Sequence, residues 1–438
     1  MCRTSEIVGV PDIDVVEVSP AERQEITIGW DAMGNVWSQN LAREFLSFSV
    51  DTFDPREYMR AERIPPINGW QRLGADYVLL RMKLLAPELK KATLLPNDDG
   101  TENAHWGKIR NKAGFIKRAK DVYLPLKPDF RSPLFQDGNF FREYVHTVRQ
   151  YGNNLHDTLT RYGRVKALAN AVGLILMSDI ASVDDPRVQA ICALSYLHPV
   201  ADTLVDSFGD SLDEDKLRRL AGRLVGDDIE PQQSDELVLF GLLGDIEAVY
   251  PRDSFPQLYY SMKRLHEAQL RSLLQQGSHL TADQLLYTSF QKGGWATVLY
   301  GALASGELTE EQFKWLFQRG SYQQLIDDFL DVREDRREGN TTIFTHTLSV
   351  EGTIDSAIAR YHLLEQSLHD LGDYPVEDPN VRNNMTLAFT DQRVAKIVGL
   401  YMNYPFLSRR FRKAFRNFRP VHNWLFSQTI GNFIYQDQ

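Results

Sequence analysis

The chain has 438 residues, 43% of them hydrophobic and 25% charged, proportions that exclude general disorder and allow one large domain or two ordinary ones. Its 49 Lys and Arg against 59 Asp and Glu leave a net charge of −10, which excludes a whole-molecule attraction to nucleic acid. Cys2 and Cys192 are the only cysteines, too few for a disulfide framework or a cysteine metal site, and they fit a reducing cytosol.

Residues 1–30 lack the apolar core of a signal peptide. The longest apolar run, Ala167–Met177, is much too short to span a bilayer, so a soluble, cytoplasmic protein is expected. Residues 1–55 mix acids, prolines and short apolar pieces, with Val15–Val18 and Ile26–Trp30 as candidate short strands. Tyr58–Lys91 is broken early by Pro65-Pro66 and then carries a helical pattern from Gly69 to Ala86. Asn97-Asp98-Asp99-Gly100 is a turn, and Pro125–Gly138, with three prolines, is a connector. Residues 1–139 are therefore set apart as an N-terminal extension with some helix and no recognisable motif.

From Phe140 onward apolar residues recur at spacings of three and four. Helices are expected over Phe140–Arg161, Val165–Ala181, Asp185–Phe208, Asp213–Leu224, Ser234–Val249 and Phe255–Gln275. They continue over Thr281–Ala304, Thr309–Asp335, Ile354–Leu371 and Asn380–Tyr401. Thr281 and Thr309 each precede a Gln by three, in capping-box order, and Pro186 and Pro256 take first-turn positions. Strand signals are nearly absent, so residues 140–405 are expected to form one all-α domain.

Within that span the first notable face is Asp202, Asp206 and Asp210, spaced by four, with Leu204, Val205 and Phe208 on the other arc. Next comes Lys292, in an apolar helical run and followed by Gly293 and Gly294. A lone lysine in such a run is commonly a snorkelling surface residue. The alternative is a buried cation that holds an anion, with the two glycines letting a ligand approach the backbone.

The third feature is Ser321–Thr345. Asp327, Asp331 and Asp335 fall four apart, and with Asp328 and Glu334 they occupy an arc of roughly 120° on a helix. Leu325, Ile326, Phe329, Leu330 and Val332 take the opposite side. A solvated acidic face is the bland reading, but this face carries no base for i,i+4 pairing, and Asp is a poor helix former. Repelling carboxylates become favourable when divalent cations lie between them, and Mg²⁺ takes oxygen ligands and is completed by substrate phosphates. Two such faces about 125 residues apart can meet across a bundle. The charged Arg333–Asn340 then runs into a loop, placed as a mobile lid at a cavity mouth.

Asp327-Asp328-Phe329-Leu330-Asp331 matches the DDxxD motif of class I isoprenoid synthases. The longer run DDFLDVREDRREGNTTIF is most similar to the large-terpene synthases, the family of bacterial tetraprenyl-β-curcumene synthase, whose run D-Y-F-I-D-x-x-E-D-R leads into a Gly-containing turn and an aromatic. Their other acidic motif is of the kind D-Y-L-D-N-L-C-D. Asp206 and Asp210 match its last pair, while Thr203 stands where the family run opens with Asp and the carboxylate sits one earlier, at Asp202. QKGGWATVLYGA resembles the Lys-Thr-Gly helix of trans-prenyltransferases, without its Thr. The resemblance covers roughly residues 165–405.

The resemblance implies a single large helical bundle of the class I isoprenoid synthase type around a central apolar cavity. It implies Mg²⁺ ions held by Asp202, Asp206, Asp210, Asp327, Asp328, Asp331 and Asp335, with Lys292 and Arg336 neutralising diphosphate. The implied substrate is a prenyl diphosphate, ionised and then directed to a terpene product. Tyr259, Tyr260, Trp295, Phe329, Tyr401 and Tyr404 are core aromatics by default, and in such chemistry aromatic walls also shelter cations. A chain-elongating or head-to-head prenyltransferase would share both metal sites.

His156-Asp157 and His369-Asp370 form HD dipeptides without the further ligands of a phosphohydrolase. In the closing segment, 406–438, no acid appears before Asp437, while Arg409, Arg410, Arg412, Lys413, Arg416 and Arg419 lie among Phe406, Phe411, Phe415 and Phe418. This basic aromatic stretch, 406–420, fits nucleic acid or a membrane surface as partner, peripheral membrane contact being coherent with a prenyl-tailed substrate, or equally a helix packing its Phe face on the bundle. A non-catalytic helical protein docking on membranes through this tail is the alternative of another class.

Overall fold

The structure is a computed structural model and describes residues 20–51, 53–56, 138–153, 155, 161–206, 214–276, 280–390 and 392–415. Among these residues every regular element is helical, and the one ladder contact is an isolated bridge between Gln276 and Asn340. The Gly69–Ala86 helix, the Val15–Val18 strand, the Asn97–Gly100 turn and His156-Asp157 lie outside the described residues. Ile26–Trp30 is not a strand. It falls inside helix α1 (Pro20–Ser47), where packing against the bundle overrides the β-branched residues' local preference.

The periodic span folds into α2 (Gly138–Asn153), α3 (Arg161–Leu176), α4 (Arg187–Asp206), α5 (Glu214–Val225), α6 (Ser234–Val249) and α7 (Pro256–Ser272). It continues with α8 (Ala282–Ser305), α9 (Glu310–Leu330), α10 (Val332–Glu338), α11 (Ile343–Glu351) and α12 (Asp355–Ser367), then α13 (Pro379–Thr390), α14 (Arg393–Met402) and α15 (Arg409–Phe415). Both expected capping boxes form, Thr281 with Gln284 and Thr309 with Gln312. A third, Thr342 with Thr345, starts α11, which periodicity missed because its nine residues make only about two and a half turns. The expected helix over Asn380–Tyr401 is two helices, α13 and α14.

The α8–α9 hairpin is the spine, and α1, α3, α4, α7 and α11 all pack on α8. Gly293, Gly294, Gly301 and Gly320 set how close the hairpin arms come. A Cβ at Gly293 would overlap the Gly320 carbonyl oxygen and lie 2.6 Å from Gln324 Cβ. A Cβ at Gly294 would lie 2.7 Å from the Phe317 ring. These glycines thus admit a neighbouring helix and not a ligand, which corrects the reading from sequence.

Aromatic rings fill the middle of the bundle. Trp295 is fully buried, with Phe313, Phe317 and Tyr260 centroids 5.6, 5.4 and 5.8 Å away. α1 contributes Trp30, stacked on Phe313 at 4.2 Å, so part of the N-terminal extension is built into the core. Polar ties fix it there: Gln291 Nε2 donates to Gly34 O and Ser38 Oγ, and Arg264 reaches Asp31 at 2.6 Å. Burying such a ring contributes about 1.5–3 kcal/mol toward holding α1 in place. A second cluster gathers Tyr322, Phe329, Phe344 and Tyr361 below the acidic helix.

The acidic helix is not one straight rod to Asp335. α9 ends at Leu330, Asp331 has φ −94° and ψ 6°, and α10 follows at once. Buried Asn403 donates its side-chain amide to Phe329 O, the carbonyl four before Arg333. A side chain entering the i→i−4 ladder is a recognised cause of such a bend. Arg333–Glu338 is therefore helical rather than a loop. Asn340 beyond it bridges to Gln276, and Thr341 N–H donates to Gln275 O at 2.9 Å.

Candidate functional site

The apolar face expected on the acidic helix is present: Leu325, Ile326, Phe329 and Val332 are buried in the second cluster. The opposite face opens into a pocket of about 290 Å³ that collects Asp327, Asp328, Asp331 and Asp335. α8 brings Ser289 and Lys292 to the same pocket, three residues apart on one helical face. Gln275, Gln276, Asn340 and Thr342 line it on the side closed by the lone bridge.

The four carboxylates differ in environment. Asp327 and Asp331 are exposed at the rim. Asp328 is buried, with Ser289 Oγ donating to Oδ2 at 2.7 Å and Gln324 Nε2 donating to Oδ1 at 3.0 Å. Burial raises its pKa against the opposing pull of those two hydrogen bonds and of the Lys292 charge. Asp335 is half-buried and its pKa is pushed up to about 8, first by burial and then by the charges of Asp328 and Asp331. Its Oδ2 is buried without a hydrogen-bond partner among the described residues.

Lys292 is the one cation in the lining among the described residues. Four carboxylates thus share the lining with one lysine. Unpaired carboxylate oxygen beside like charges costs stability until a cation arrives. This donor set of hard oxygens suits Mg²⁺, although among the described residues no three such groups converge on a single ion position. Mg²⁺ typically draws only one or two carboxylates from the protein, water and phosphate supplying the rest.

The other predicted residues fall differently. Arg336 does not line the pocket; it is exposed, with its guanidinium 5.6 Å from the Phe406 ring centroid. Asp202 and Asp206 lie on the last turns of α4, but their side chains, and all of Asp210, are outside the described residues. The structure thus brings together Asp327, Asp328, Asp331, Asp335 and Lys292. Sequence reasoning missed Ser289 and Gln324, which hold Asp328. Each was within reach, since Gln324 precedes Asp328 by four and Ser289 precedes Lys292 by three.

In the tail, Phe411 is buried against Phe53, ring centroids 6.0 Å apart, and Arg410 donates to Phe53 O at 2.6 Å. Arg409, Arg410, Arg412 and Lys413 keep exposed positions on the same short helix. Phe411 thus packs on the bundle while the basic side faces out. His369-Asp370 sits exposed in a 3-10 turn. Among the described residues no helix is long and apolar enough to cross a membrane. In comparisons with protein-family models, with curated proteins and with solved structures, nothing matches this chain.

Proposed function

We propose that this protein is a Mg²⁺-dependent class I terpene synthase that ionises a prenyl diphosphate and directs the resulting cation to a terpene. The observation that carries the reading is the gathering of four carboxylates and one lysine in one pocket, with an apolar pocket sharing Gln269 beside it. That pairing suits a substrate with a diphosphate head and a hydrocarbon tail.

Asp327 and Asp331, at the rim, would hold Mg²⁺, with Asp335 joining once its proton is displaced. Bound there, the metal supplies Lewis-acid stabilisation of the leaving diphosphate. Lys292 adds a fixed positive charge to the same oxygens. Ser289 and Gln324 hold Asp328 in a single orientation, which fixes the floor of the site. Asp202, Asp206 and Asp210 are proposed as the second set of metal ligands, on the strength of the family resemblance. A cytoplasmic enzyme touching membranes through 406–420 fits an oily substrate, and the exposed basic side of α15 supports that part.

The test is incubation with prenyl diphosphates of increasing length, with and without Mg²⁺, following released diphosphate and organic products. Mg²⁺-dependent release from a single substrate, stopped by EDTA, is expected. Release only when a second prenyl donor is added would instead mark a chain-elongating or head-to-head prenyltransferase. No release with any chain length, from folded protein, would refute both.

A further inference from the structure

The acidic pocket and an apolar one lie beside each other along α7. Ser272 lines the first, Met262, Leu265 and His266 line the second, and Gln269 borders both. From His266 to Ser272 the helix rises about 9 Å, so the imidazole stands nearly two turns along α7 from the residue that lines the acidic pocket. α4 supplies Leu197 opposite, and α8 supplies Leu299. The pocket, about 50 Å³, has room for roughly three or four water-sized groups, the end of a chain rather than a whole substrate.

His266 is 8% exposed, and its Nε2 is buried with no hydrogen-bond partner among the described residues. An unpaired nitrogen in such surroundings costs stability, so a purely structural role favours an apolar residue there. Burial pushes its pKa down to about 4, which keeps the ring neutral at neutral pH. Among the described lining residues from α4, α5, α6, α7 and α8 there is no carboxylate, lysine or arginine; the polar ones are His198, Gln269 and Tyr300.

We infer that His266 is the catalytic base that ends the reaction, its Nε2 taking a proton from carbon next to the cationic centre. This rests on the proposed terpene-synthase reading. In the step, Nε2 gives its lone pair to the proton, and the C–H electrons become the second bond of a C=C. The cation is neutralised and His266 becomes imidazolium. The charge is disfavoured in an apolar pocket, so the proton passes to water when product leaves. A weak base suffices, because a carbocation is a far stronger acid than imidazolium. A stronger base would already be protonated at neutral pH.

The experiment compares wild type with His266→Phe and His266→Gln, measuring diphosphate release and product distribution by gas chromatography. Gln keeps a polar group of similar reach, so it serves if Phe disturbs folding. Release is expected to stay within about twofold of wild type, because ionisation occurs at the other pocket. The wild-type alkene is expected to fall at least about tenfold as a share of product, replaced by isomeric alkenes or alcohols from water capture. An unchanged product distribution with intact release overturns the assignment of His266 and leaves the reaction class standing. If wild type releases no diphosphate at all, the reaction class falls first and the base with it.

Discussion

Asp335→Asn is expected to stabilise the metal-free protein, and to do so more at high pH than at low. In the folded state Asp335 keeps its proton up to about pH 8, against an ordinary value of 3.8. Between those values the folded state binds more protons than the unfolded one, so stability falls as pH rises. The span of about 4 units, at 1.36 kcal/mol each, sets a ceiling of about 5 kcal/mol at pH 8. Asp335 is only half-buried, and swinging toward the pocket mouth relieves part of this, leaving about 2–3 kcal/mol. Asparagine has nearly the same shape and no charge to bury. Urea unfolding of both proteins in EDTA, at pH 5 and pH 8, reads the difference directly. The gain should be small at pH 5, larger at pH 8 and level above it. A variant no more stable than wild type at pH 8, or a gain independent of pH, would falsify the view that burial beside Asp328 and Asp331 keeps Asp335 protonated.

Three further outcomes follow from the geometry. Gly293→Ala should destabilise by about 3 kcal/mol in denaturant unfolding, because its Cβ meets backbone that cannot yield without parting α8 from α9; an unchanged midpoint would contradict that packing. Mg²⁺ with pyrophosphate should raise Tm more than the sum of each alone, and Asp206→Asn and Asp331→Asn should each remove most of the excess; an effect from only one of them would mean that the two acid faces share no ligand. Reversing the charge of Arg409, Arg412 and Lys413 together should weaken binding to anionic vesicles while leaving Tm unchanged, whereas Phe411→Ala should lower Tm; equal vesicle binding by the triple variant would remove the membrane contact.

Much of the molecule was legible in the chain itself. The three-and-four periodicity after Phe140 specified an all-helical body, and Ser234–Val249 was bounded to the residue. The spacing of Asp327, Asp331 and Asp335 against Leu325, Ile326 and Phe329 was enough to say which side of the helix is buried, since side-chain direction follows from local geometry alone. Tertiary structure decided the rest. Asn403, far along the chain, reaches Phe329 O where the acidic helix bends at Asp331, and no local pattern announces a donor from another helix. Gly293 and Gly294 read equally well as room for a ligand or for a neighbour, and only the approach of α9 chose the neighbour. Trp30 and the polar ties of α1 joined an unremarkable N-terminal stretch to the core. Arg336 went to Phe406 rather than the pocket, its position on α10 lying about 100° round the helix from Asp335, which lines the pocket. Periodicity acts over neighbouring residues and is written in the sequence, whereas the pairing of Asp328 with Ser289, 39 residues earlier, exists only after the hairpin closes.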